Sequence, residues 1–108
     1  MTTFPLVNQT FYVATSLAQR DLALHVIDLI ERMGGSVPYN WAALPDLRGK
    51  KGAELEQALT ERGQFDLEGV MRADRTVVIL PGGSGTHFEF GAAVAIAQAR
   101  NSRKPVLF

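Results

Sequence analysis

The sequence predicts one small α/β domain built on a parallel sheet with helices on both faces. Three observations predict it. Short apolar, β-prone runs alternate with helix-length stretches along the chain, as in parallel strands joined by crossover helices. Val77-Val78-Ile79-Leu80 places four β-prone apolar residues in a row, which suits a strand covered on both faces. That run ends in Pro81-Gly82-Gly83-Ser84-Gly85-Thr86 and leads into a helix. Open α/β sheets bind ligands at such carboxyl ends of strands.

The elements follow in order. Met1 to Gln9 is a short lead-in. Thr10 to Thr15 is aromatic and β-branched without charge, a first strand. Ser16 to Gln19 is the loop at its carboxyl end. Asp21 to Met33 has Leu22, Val26, Leu29, Ile30 and Met33 at helical spacing, which predicts a helix buried on that face. Gly34-Gly35 ends it. Ser36 to Trp41 predicts a weaker strand, placed at an edge by Pro38. Ala42 to Lys51 is a polar loop, either a lid or a long connection. Gly52 to Arg62 predicts a helix on Leu55, Ala58 and Leu59, broken by Gly63. Phe65 to Ala73 predicts a further short helix. Thr76 to Leu80 is the third strand. Thr86 to Arg100 is a last helix rich in Gly and Ala, able to lie close to the sheet. Lys104 to Phe108 begins a fourth strand.

The glycine-rich turn carries the chemistry. Pro81 stops the strand ladder because it has no N–H. Gly82, Gly83 and Gly85 permit close approach of a ligand to the backbone. Ser84 or Thr86 is expected to cap the following helix, whose first N–H groups and dipole favour an anion. Glu89 follows just inside that helix, a candidate nucleophile or acid/base. The bland alternative is a tight strand–helix turn with an ordinary first-turn carboxylate.

Composition narrows the classes. Residues 1–108 suffice for one domain with a modest core. Eleven basic and eleven acidic residues give zero net charge, so no field of one sign draws the chain onto nucleic acid or an anionic membrane. Cysteine is absent, which excludes disulfides, thiolate catalysis and Cys-based zinc sites. No apolar run approaches the roughly 20 residues that span a bilayer, and no signal peptide is legible at the N-terminus. The expectation is a cytoplasmic protein.

Three segments resemble one family. They are Phe11-Tyr12-Val13-Ala14-Thr15; Asp66-Leu67-Glu68-Gly69-Val70 with Ala73-Asp74-Arg75-Thr76-Val77-Val78; and Gly83-Ser84-Gly85-Thr86-His87-Phe88-Glu89-Phe90-Gly91 with Lys104-Pro105-Val106. Together they resemble the nucleoside 2-deoxyribosyltransferases and the related hydrolases of nucleotide N-glycosidic bonds. The resemblance runs from Phe11 to Phe108 and is weakest between Val37 and Gln64. It implies a small Rossmann-like (flavodoxin-like) fold. It also implies attack of a Glu on the anomeric carbon of a ribose or deoxyribose, with transfer of the sugar to another base or to water. Glu89 matches the nucleophile, Asp66 the acid facing the departing base, and Tyr12 the tyrosine that orients the nucleophile. A carboxylate suits the reaction because it stabilises an oxocarbenium-like transition state and then traps it. On their own, Asp66 reads equally well as a helix N-cap, and Tyr12 as a core aromatic.

The loop departs from the transferases, which often carry an Asp there for the sugar 5′-hydroxyl. Gly83 stands at that place, followed by Ser84. A neutral loop at a helix N-terminus suits a 5′-phosphate better. Substrate contacts are therefore expected from Gly82, Gly83, Ser84, Gly85 and Thr86. Pro81 to Glu89 also resembles the Pro-Gly-Gly-x-Gly-Thr-x-x-Glu motif of the cytokinin-activating phosphoribohydrolases, which cleave the same bond; their glycine-rich region after the second strand is missing here. A non-catalytic module that sequesters nucleotides is the competing class. The chemistry implied needs no metal or organic cofactor. The family's active site is completed by a neighbouring subunit or a C-terminal segment. The Ala-rich helix and the aromatics of the second strand offer apolar surface for a homodimer or higher homo-oligomer.

Other residues read more plainly. His25 suits a helix surface, and His87 a partly exposed helix position or a contact to a phosphate or the base. Tyr39 and Trp41 suit a core or subunit interface, or stacking on a base. Arg20 suits a solvated loop or a phosphate contact, and Lys50-Lys51 a solvated surface. Ser16 has no His or Asp at triad spacing.

Overall fold

The computed structural model of the chain describes residues 6–45, 49–100 and 106–107. It is a small α/β fold: three helices and a parallel sheet ordered β1-β2-β3. Strand β1 is Phe11–Ala14, β2 is Arg75–Val78 and β3 is the short Val106–Leu107. Helix α1 is Arg20–Arg32, α2 is Gly52–Arg72 and α3 is Ser84–Arg100. Tyr12 pairs with Thr76 and Val13 with Val77, while Val77 pairs with Val106. The other residues expected in the fourth strand lie outside the described residues.

All four residues of β1 are buried. Alternation along the strand sends them into two clusters. Phe11 and Val13 pack with Ala23, Ile27 and Ile30 of α1. Tyr12 and Ala14 pack with Val70 of α2 and Ala93 of α3. The fully buried Ile27 ties α1 to the sheet, and burial of such a side chain contributes about 1.5–3 kcal/mol.

The buried face of α1 differs from the expected one. Ala23, Ile27 and Ile30 are buried and Val26 partly so, whereas Leu22, Leu29 and Met33 are exposed. Ala23 has no bulk to hold the helix off the sheet, so the helix turns its smallest apolar residue inward. Its end is as expected. Gly34 has φ 92°, Gly35 N–H donates to Ile30 O at 2.9 Å, and Gly34 N–H donates to Glu31 O at 3.1 Å. These two bonds form a Schellman stop.

The expected second strand shrinks to one parallel bridge between Thr10 and Ser36. Ser36 N–H donates to Gln9 O at 3.0 Å, and Phe11 N–H donates to Ser36 O at 2.8 Å. Thr10 O accepts from Asp74 and Arg75, so Ser36 lies on the edge of β1 away from β2. Pro38 then withholds an N–H, and Trp41–Ala43 turns as one 3-10 turn.

Gly63 does not break a helix. The chain forms one 21-residue helix through it. A glycine in an exposed helix interior costs only about 1 kcal/mol relative to Ala, and a single such cost does not interrupt the hydrogen-bond ladder. Asp66 is consequently a mid-helix residue and not an N-cap.

Helix α3 begins two residues earlier than expected, at Ser84. Gly83 is the residue before it, and Gly83 O accepts the N–H of His87 at 3.1 Å, the first helical bond. Thr86 is buried inside the first turn, and its Oγ1 accepts Gly83 N–H at 3.2 Å. Its hydroxyl therefore bonds back to the residue before the helix, the reverse direction from a cap at Thr86 itself. Gly82 is required beside it: a Cβ there would lie 2.5 Å from Thr86 Cγ2.

Candidate functional site

Two segments are laced together at the carboxyl ends of β1 and β2. Thr15 Oγ1 donates to Ile79 O at 3.0 Å. The Gln19 amide donates to Thr15 Oγ1 and to Pro81 O. Ile79 N–H continues the ladder onto Ala14 O at 2.9 Å. These bonds hold the loop after β1 against the turn after β2, which fixes where the first turns of α3 emerge.

A cavity of about 410 Å³ opens beside this junction, within the size range of small-ligand sites. Its polar groups are Tyr12, Thr15, Arg20, Tyr39, Arg62, Asp66 and Glu89. Leu17, Leu44, Leu59 and Trp41 supply much of the apolar wall. Tyr12, Asp66 and Glu89, expected from the sequence to act together, are thus brought to one cavity from β1, α2 and α3. Gly82, Gly83, Gly85 and Thr86 do not line it. Of these, Gly83 stands next to the loop after β1, where a Cβ on it would lie 3.9 Å from Ser16 Cβ. The side chain of Ser84 lies outside the described residues.

Tyr12 is 1% exposed, and its hydroxyl donates to Asp66 Oδ1 at 3.0 Å. Its position is enforced by α2, because a Cβ on Gly69 would lie 2.7 Å from Tyr12 Cδ1. Burial, then the charges of Glu89 and Asp66, push the Tyr12 phenol upward, so it stays protonated. Burial likewise pushes the Asp66 carboxyl up, against the lowering effects of the Tyr12 hydrogen bond and the Arg62 charge. Glu89 is pushed from 4.5 to about 7, chiefly by burial and further by the charge of Asp66, while the Tyr12 hydroxyl opposes the rise. Glu89 Oε2 is buried without a hydrogen-bond partner. The arrangement is two carboxyls of unlike environment bridged by one phenol. Such a set suits one carboxyl to act as a base or nucleophile and the other as an acid.

Two residues were not singled out from sequence. Arg62 lines the cavity one helical turn before Asp66 and donates to Pro45 O. The i, i+4 spacing of Arg62 and Asp66 is its sequence signal, hidden by the expected break at Gly63. Gly63 itself lines the cavity with open space where a side chain would stand. Of the residues weighed earlier, Arg20 is committed to Ala42 O through Nε at 2.5 Å. Trp41 donates its indole N–H to Val13 O at 2.6 Å. Tyr39 is half-buried and stacks on Phe65 with ring centroids 5.8 Å apart. His25 and His87 are exposed. Lys50 pairs with Glu54 at 3.0 Å on the surface.

Among the described residues, no group of three His, Asp or Glu could hold a metal ion, and no helix is long and apolar enough to cross a membrane. No protein-family model matches the chain, and no curated protein matches it.

Proposed function

We propose that the chain cleaves the N-glycosidic bond of a nucleoside or nucleoside 5′-monophosphate, on a Rossmann-like (flavodoxin-like) sheet covered by helices on both faces. The observation that carries this reading is the meeting of Glu89, Tyr12 and Asp66 at one cavity. An oxygen of ionised Glu89 attacks the anomeric carbon. The C–N bond breaks, its electron pair goes to the base nitrogen, and the Asp66 proton goes to the departing base. Water or a second base then displaces Glu89 from the sugar, giving its proton to Asp66, which is thereby restored to the acid form. Tyr12 stands between the two carboxyls, holding each in place. The unpartnered Oε2 of Glu89 leaves a lone pair free for this attack.

The turn 82–86 is assigned to the 5′ end of the sugar through the backbone N–H groups of residues 84–86, since the Gly83 N–H and the Thr86 hydroxyl are bonded to each other. Its position beside Ser16, at the mouth of the β1 loop, supports that assignment. Cleavage of the cytokinin-activating type involves the same bond and the same Glu89. Pairing of subunits belongs to this reading as well. Gly91, Ala95 and Ala99 lie exposed along α3 with the exposed Phe88 before them, and sedimentation of the purified chain tests it.

Glu89→Ala separates an enzyme from a sequestering module. An enzyme of this kind loses base release and keeps ligand binding. A module binds ligand and releases no base with either chain.

A further inference from the structure

We propose that Tyr39, Arg62 and Asp66 form the wall of this cavity that takes the departing base, and that the wall selects an edge of two adjacent hydrogen-bond acceptors, a 6-oxopurine in preference to a 6-aminopurine. The proposal rests on the glycosidic reading for which end of the ligand lies there. The recognition itself follows from the donors present.

All three residues line the cavity. The Tyr39 ring is set by its stack on Phe65, at an interplanar angle of 24°. Its hydroxyl is shielded from solvent and has no hydrogen-bond partner. A buried hydroxyl left unbonded is unfavourable, so a ligand atom that bonds it gains binding. Asp66, Arg62 and Glu89 all act electrostatically on this phenol, which places it in the field of the same groups. Arg62 uses its guanidinium on Pro45 O. A guanidinium carries five N–H donors and no acceptor, so it has further donors for a ligand. Asp66 gives one oxygen to Tyr12, and in the protonated form that the proposed proton transfer requires it offers an O–H from the carboxyl.

The two purine classes differ on one edge. A 6-oxopurine presents N7 and O6, both acceptors, whereas a 6-aminopurine presents the N7 acceptor and an amino donor. Asp66 serves N7 in both. Arg62 serves O6 but opposes an amino group, donor against donor. The Tyr39 hydroxyl both donates and accepts, so it adds affinity for either base and little choice between them. Arg62 is therefore the specificity-determining residue, with discrimination of about 10- to 100-fold for a half-exposed site.

Trp41 is the single tryptophan and lines the cavity, so its fluorescence reports binding without turnover. The unmodified chain is titrated with free hypoxanthine and free adenine, and base release is followed from inosine and adenosine 5′-monophosphates. Hypoxanthine should bind at least about tenfold tighter. Arg62→Met should bring the two affinities together, and Arg62→Gln, which keeps a donor and adds an acceptor, should do the same if the Met variant is unstable. Tyr39→Phe should weaken both bases alike. Equal affinities in the unmodified chain, a preference that survives loss of Arg62, or no binding of either base overturns the proposal. A base preference in binding without any base release counts against the glycosidic reading alone. Release without preference counts against this proposal alone.

Discussion

The Tyr12 hydroxyl donates to Asp66 Oδ1 at 3.0 Å across 54 positions of sequence. The bond joins the middle of the first strand to the middle of the longest helix, and Glu89 of α3 meets the same phenol. Strand β1, helix α2 and helix α3 thus each deliver one ionisable group to one cavity. The rigidity of that meeting comes from packing: Tyr12 is buried against Gly69, with Val70 and Ala93 in the same cluster.

Tyr12→Phe keeps the ring and removes the bridge. The fold should persist, with a loss of about 0.5–1.5 kcal/mol in urea unfolding. Base release should fall by about 10- to 100-fold, because both carboxyls lose their common partner. Unchanged turnover would make Tyr12 a core residue only.

Glu89 links activity to pH. Its pKa of about 7 lies in the accessible range, and a nucleophile acts as the ionised form. The value of kcat/KM should therefore rise as pH increases through about 7, and turn down where the Asp66 proton is lost. A profile flat across that interval would deny Glu89 the nucleophile's role.

The same shift predicts a stability effect of opposite sense. The folded-state pKa is raised above 4.5, so the stabilising contribution is complete below about 4.5 and is lost as pH rises through about 7. Glu89→Gln removes the ionisation. At about pH 8 it should stabilise the fold by about 1–3 kcal/mol, discounted for partial exposure, and at about pH 5 by much less. Urea unfolding at both pH values measures the difference. An equal gap at the two would show that the burial of this carboxylate is not the cause.

Two glycines of α2 should respond in opposite directions. Gly69→Ala drives a methyl into Tyr12 and should cost about 1–3 kcal/mol despite the better helix propensity. Gly63→Ala meets open space and should stabilise by about 0.5–1 kcal/mol. Thermal unfolding of the two variants decides both signs.

Asp66→Ala should slow release of poor leaving bases most, by about 10²- to 10⁴-fold. Activated leaving groups, which depart without a proton, should be affected little. A uniform loss over all bases would remove the acid's role from Asp66.

The strand and helix alternation was legible because apolar runs and glycine stops mark it directly, as Val77 to Ile79 and Gly34 do. Less legible was anything decided by close packing. Ala23 anchors α1 although Leu22 and Leu29 carry more apolar surface, because helix-to-sheet distance favours the small residue there. Gly63 resembles a stop in sequence, yet continuous hydrogen bonding on either side outweighs its propensity. That misreading separated Arg62 from Asp66, which the intact helix sets one turn apart. An edge strand was expected over Ser36 to Trp41, but Pro38 withholds a donor that a full strand needs, and only the bridge at Ser36 forms. The candidate triad was legible through the resemblance of its three segments, whereas Tyr39 shows its unbonded hydroxyl only once Phe65 fixes the ring.

The most direct test is chromatographic detection of free base. The unmodified chain and Glu89→Gln are incubated at about pH 8 with nucleosides and 5′-monophosphates of ribose and deoxyribose, with and without an acceptor base. The unmodified chain should release base from at least one substrate, and Glu89→Gln should reduce that release by on the order of 10³-fold while Trp41 fluorescence still reports binding. Equal release by the two chains, or binding without release by either, would contradict glycosidic cleavage at Glu89.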